Sequence, residues 1–107
     1  MAKFMIKASY TSAGLQGVMK AGGSSRVSAV EKAVAGIGGT IESFYFAFGD
    51  DDVYVIVDGP DNAGATAMAM AVGSSDAISK YETVVLMSPA EVDQAVHMTV
   101  DYAPPGS

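Results

Sequence analysis

The chain contains no cysteine, which excludes disulfides, thiol catalysis and cysteine-type zinc sites. It has a single histidine, His97. With no second His or Cys, a transition-metal site or a nucleophile dyad has no partner residues. Positive charge is also scarce. Six basic residues stand against twelve acidic ones, for a net charge of −6. Lys3, Lys7, Lys20, Arg26, Lys32 and Lys80 are scattered along the chain. A phosphate backbone or an anionic membrane surface needs a concentrated basic face, so neither nucleic acid nor membrane is an expected partner. No apolar run approaches the ~18 residues of a membrane span. Residues Met1 to Lys7 carry no long apolar stretch and no cleavage-site pattern, so cytoplasm is the expected location. Gly-x-Ser-x-Gly, EF-hand, Walker and Rossmann patterns are all missing, and no cofactor is expected.

What remains is apolar. Half of the 107 residues are hydrophobic, enough for one domain with a sizeable core. The mean hydropathy is positive. A chain this apolar without a span is expected to hide surface in an oligomer interface, so the first expected partner is a second copy.

Residues 3–10 alternate as a strand, with Phe4, Ile6, Ala8 and Tyr10 on one side and Lys3, Met5, Lys7 and Ser9 on the other. A glycine-rich stretch follows, with a helical turn over 15–20. Ser24 or Ser25 then caps a helix to about Gly36, with Ser28 and Glu31 as a competing capping box. Its stripe is Val27, Val30, Val34 and Ile37. Residues 40–48 and 53–58 read as a β-hairpin whose tip holds Gly49, Asp50, Asp51 and Asp52. Asp61 caps an Ala/Met helix over 63–72 with almost no polar side. Residues 78–87 form a fourth strand. Ser88, Pro89 and Glu91 then start a last helix that runs to about 97–100.

This order predicts an α+β fold: a ferredoxin-like βαββαβ unit with a C-terminal helix and a four-stranded antiparallel sheet. One domain over 1–100 and a frayed tail over 101–107 are expected. The first and third strands would be central, and two helices would cover one sheet face. Both phases of the hairpin strands are apolar, so a second chain is expected on the other face.

Tyr10-Thr11-x-x-Gly14-Leu15, Arg26, Gly38-Gly39, Phe44-Tyr45, Gly49-x-x-Asp52 and Pro60-Asp61, in this order and with the fourth strand, resemble the GYD-domain family. The likeness covers about residues 1–95. It implies a ferredoxin-like fold related to dimeric α/β barrels, in a family of largely unassigned function. The tyrosine of the family's Gly-Tyr-Asp signature is replaced by Asp51 here, so a site lined by that tyrosine would be altered.

For the three aspartates, strand alternation puts Asp50 and Asp52 on one side and Asp51 on the other. A hard cation usually takes more ligands than these two, so a solvated tip is the simpler reading and no metal is expected. His97 suits a helix C-terminus, where the dipole favours it, better than a general base. Gly22-Gly23-Ser24-Ser25 precedes a helix, as an anion site would, but a flexible loop explains it equally.

The remaining constellation is Tyr10, Tyr45, Tyr54 and Tyr81 with Lys7, Arg26 and Asp52. Tyrosine hydroxyls beside a cation can hold a small oxygenated ligand. Lys7, Tyr10, Arg26, Tyr45, Asp52, Tyr54 and His97 are therefore the candidate ligand-binding residues, with the tyrosine cluster expected near the open sheet face. The expected role is a homo-oligomer that binds a small molecule or assembles through that face. Two alternatives follow. By fold-level analogy the chain is a cofactor-independent, monooxygenase- or isomerase-like enzyme with convergent Lys7, Tyr45 and His97. The apolar helix instead favours a scaffold for a higher-order assembly.

Overall fold

The computed structural model describes residues 2–107. The chain runs β1 (Lys3–Tyr10), α1 (Ser12–Ala21), α2 (Gly23–Gly36), β2 (Thr40–Phe46), β3 (Val53–Asp58), α3 (Asn62–Gly73), β4 (Ile78–Leu86) and α4 (Pro89–Val96). The four strands form one antiparallel sheet in the order β2-β3-β1-β4. As expected, β1 and β3 are central, and the topology is ferredoxin-like.

Alternation divides the sheet cleanly. Phe4, Ile6 and Ala8 of β1 and Val53, Val55 and Val57 of β3 are buried on one face. Val34 of α2 and Met68 of α3 close the core over them, with Val30, Ile37, Phe44, Val72 and Tyr81 packed around. The valine stripe of α2 and the Met68 side of α3 therefore face inward.

The start signals of α3 and α4 hold, but α2 begins at Gly23 with Gly22 as its N-cap and no side-chain cap, so neither Ser24 nor Ser25 caps it. Asp61 Oδ1 accepts from Gly64 N at 2.9 Å and caps α3. Ser88 and Glu91 form a reciprocal capping box, with Glu91 N donating to Ser88 Oγ at 3.1 Å and Ser88 N to Glu91 Oε1 at 2.9 Å. The Ser28–Glu31 alternative is not used. Instead, Ser28 lies within α2 and its hydroxyl donates to Ser24 O at 3.2 Å.

Two elements differ from expectation. First, the stretch after β1 is a ten-residue helix, not a single turn. Thr11 caps it, accepting from Gly14 N at 3.1 Å and donating to Asp76 O at 2.7 Å. A Cβ on Gly14 would run into the Ala77 carbonyl, so the glycine permits this close docking. Second, β2 ends at Phe46, and its pairing with β3 shifts between Ile41 and Ser43. Phe48 leaves the strand at φ 57° and stacks on Phe46 with 5.9 Å between ring centroids.

Every residue from Met87 to Ser107 is exposed, α4 included. The molecule measures 56 × 32 × 23 Å, with a radius of gyration of 16.9 Å. A compact chain of this length has a radius near ~13 Å. The long axis is consistent with a C-terminal segment that extends from the body rather than folding onto it.

Candidate functional site

The face turned away from α2 and α3 is ordered in rows across the strands. Register places Ser43, Ile56, Met5 and Val84 in one row, and Tyr45, Tyr54, Lys7 and Glu82 in the next. Asp58, Lys3 and Leu86 flank the apolar row on its other side. The result is an apolar strip between charged margins. Lys3 Nζ reaches Glu42 Oε2 at 2.8 Å and Asp58 Oδ1 at 3.3 Å. The hydrogen bond that Lys3 donates to Glu42, then that to Asp58, raises the Lys3 pKa above its ordinary value.

The other margin is built around Asp51. The loop between β2 and β3 closes with Ala47 N donating to Asp52 O and Asp52 N donating to Ala8 O, both at 2.9 Å. This returns the chain to β1 and carries Asp51 inward, where only 1% of it is accessible. Its carboxylate lies 3.7 Å from Lys7 Nζ and 3.5 Å from Lys80 Nζ. The Ser9 hydroxyl donates to it at 3.3 Å. Glu82 stands 3.4 Å from Lys7 on the far side, and it, before Asp51 and Tyr54, raises the Lys7 pKa. Two lysines and a hydroxyl are what make a buried carboxylate tolerable here.

The expectation of three solvated aspartates is thus corrected. Asp50 is exposed, Asp51 is buried, and Asp52 accepts from Tyr10 N at 2.9 Å. The three lie outside β2 and β3, so strand alternation does not govern them. A solvated tip overlooked the loop's return to β1, and Asp51's partners lie far away in sequence on β1 and β4. Among the described residues, no three His, Asp or Glu side chains gather as a metal centre.

The expected tyrosine cluster divides between the two faces. Lys7, Tyr45 and Tyr54 share a row on the open face, where Tyr45 is 70% exposed. Tyr10 and Tyr81 stand on the helix side with Arg26 of α2, around the gap between sheet and helices. Asp52 sits at the sheet end on the Tyr10 amide. His97 is the exposed C-cap of α4. It lies outside the row that holds Lys7 and Tyr45, so one chain does not form the convergent pocket that the enzyme alternative requires. A single-chain sequence pattern marks strand phase but not which phase the helices cover, which is why the tyrosines looked like one group.

On the helix side a groove of about 290 Å³ runs between α1 and α2, with Tyr10 and Ala77 at its rim. Sequence reasoning missed it because the stretch read as glycine-rich with a single helical turn over 15–20, not as the ten-residue α1. The Thr11-x-x-Gly14 spacing, a cap followed by its amide donor, was the available signal. Tyr81 projects into the adjoining gap, and its hydroxyl is buried without a hydrogen-bond partner. Burial raises its pKa, and the nearby Thr83 hydroxyl, outside bonding geometry, partly offsets this.

Sheet order and helix placement define the class: an α+β protein of ferredoxin-like topology with one uncovered sheet face. The model of the GYD domain family matches residues 4–96 of the 107, and the chain belongs to that family. No curated protein gives a significant match. Among the described residues, no helix is long and apolar enough to cross a membrane.

Proposed function

We propose that this GYD-family protein is a homo-oligomer whose subunits pair through the open sheet face. The observation that carries the reading is the strip of Met5, Ile56 and Val84, ringed by Lys3, Glu42, Lys7, Asp51, Lys80 and Glu82, which α2 and α3 leave uncovered. An apolar centre with a polar rim is the anatomy of a protein interface. The rim carries both signs, so two copies related by a twofold axis can set lysines against carboxylates. Sedimentation or light scattering at micromolar concentration tests this. The expected mass is a multiple of the 10.9 kDa chain, and a monomer overturns the reading.

A second reading, a larger closed assembly, is favoured by a different observation. Val92 and Val96 of α4, with Met98, Val100 and Tyr102 beyond it, are large apolar side chains left exposed outside the strip. An eight-residue helix is marginal in isolation, and its apolar side needs a surface to cover it. Rings or cages in electron micrographs support this reading, and uniform dimers reject it.

A further inference from the structure

We infer that the α1–α2 groove is a binding site for a small monocarboxylate with an apolar body, held by Arg26. The site is independent of the sheet-face interface, because it lies on the opposite side of the sheet. Its charge comes first. Among the described residues, Lys3, Lys7 and Lys80 all pair with carboxylates. Arg26 has no ion pair and its guanidinium donates no hydrogen bond; Lys20 and Lys32 are also unpaired, but they stand exposed in solvent. It is also half-buried. A half-buried, unpaired guanidinium is a fork that fits a carboxylate bidentately.

The shape comes second. At about 290 Å³ the groove stands at the lower end of small-molecule sites. Its walls are Ala13, Gly17 and Val18 of α1 and Ala29 of α2, with the ring of Tyr10. These are apolar and small, and suit a ring or a branched alkyl group rather than a sugar or a phosphate ester. Gly22 at the N-cap of α2 supplies no side chain to that helix end, so its first amides also face an anion favourably.

A third observation fixes the orientation. Tyr10 and Arg26 also line the inner gap between sheet and helices, where the Tyr81 hydroxyl has no partner. That gap is small, about 30 Å³, with room for a polar group but not for the ligand's apolar body. The ligand's carboxylate therefore points toward Arg26, where groove and gap meet, while its body stays in the groove.

Titration of the ¹⁵N-labelled protein with phenylacetate, 3-methylbutanoate, phenylacetamide and inorganic phosphate tests the proposal. Saturable shifts are expected at the Arg26 Nε–H and the amides of Ala13, Gly17 and Ala29 with both carboxylates. Phenylacetamide should bind at least about tenfold more weakly, since it lacks the charge. Arg26→Gln should weaken phenylacetate by about tenfold or more. Tyr81→Phe should change phenylacetate binding far less than Arg26→Gln does, because Tyr81 lines the inner gap and not the groove. Neither carboxylate saturating by ~20 mM, well above weak-binding range, overturns the site. So does equal binding of the amide, tighter binding of phosphate, or shifts confined to the open sheet face. An oligomer that fails to form while these shifts persist rejects the assembly reading and leaves the groove standing.

Discussion

At Asp51 a carboxylate with 1% exposure rests between two lysines, and Ser9 donates to it. Asp51→Asn keeps the shape and removes the charge. It leaves Lys7 and Lys80 without their shared counter-ion, and the expected loss is about 1–3 kcal/mol in denaturant unfolding. No change in the midpoint would show that the pair is not stabilising. A second contrast concerns two glycines of one helix. Gly14→Ala drives a methyl into the Ala77 carbonyl and should cost about 1–3 kcal/mol. Gly17→Ala meets nothing within 4 Å and should stabilise α1 by up to about 1 kcal/mol. Thermal melts of the two variants should therefore move in opposite directions. Neither residue was distinguishable in the sequence. Asp51 stood in a run of three aspartates, and the partners that separate them arrive from strands remote along the chain.

Among the elements, α2, α3, β4 and α4 were legible because their signals are local. Asp61 and Ser88 lie within three residues of the amides they cap. Sheet phase was legible too, since alternation in 3–10 and 53–58 is set by the sequence itself. The helix α1 was not, because Gly14 and Gly17 lower its propensity and tertiary docking beside Ala77 stabilises what propensity does not. For α4 the capping box predicts a pH dependence. The backbone amide and hydroxyl of Ser88 lower the Glu91 pKa below its ordinary 4.5, so the folded helix favours the ionised form. That contribution is complete above the ordinary value and fades as pH falls through the lowered one. Amide shifts of Ser88 and residues 90–96 should titrate together below pH 4.5, and Ser88→Ala, which keeps the amide but removes the hydroxyl, should move the midpoint up toward the ordinary value. A Glu91 midpoint at or above the ordinary value would show that the box does not form.

For the whole molecule the open face and the extended C-terminal segment carry one expectation. Ile56→Glu places a charge in the middle of the apolar strip, and should convert an oligomer to a monomer while leaving the circular dichroism of the fold intact. Oligomers of unchanged mass would move the interface elsewhere, α4 being the next surface. From sequence alone came the fold class, the caps of α3 and α4 and the alternating phase of β1, because these depend on periodicity and on contacts a few residues apart. Only the tertiary structure decided that Asp51 is buried, that Tyr10, Tyr81 and Arg26 stand apart from Lys7, Tyr45 and Tyr54, and that a groove opens beside Arg26. Those facts depend on which segments meet across the sheet. A linear pattern records the phase of each strand, but not what the rest of the chain brings to either side of it.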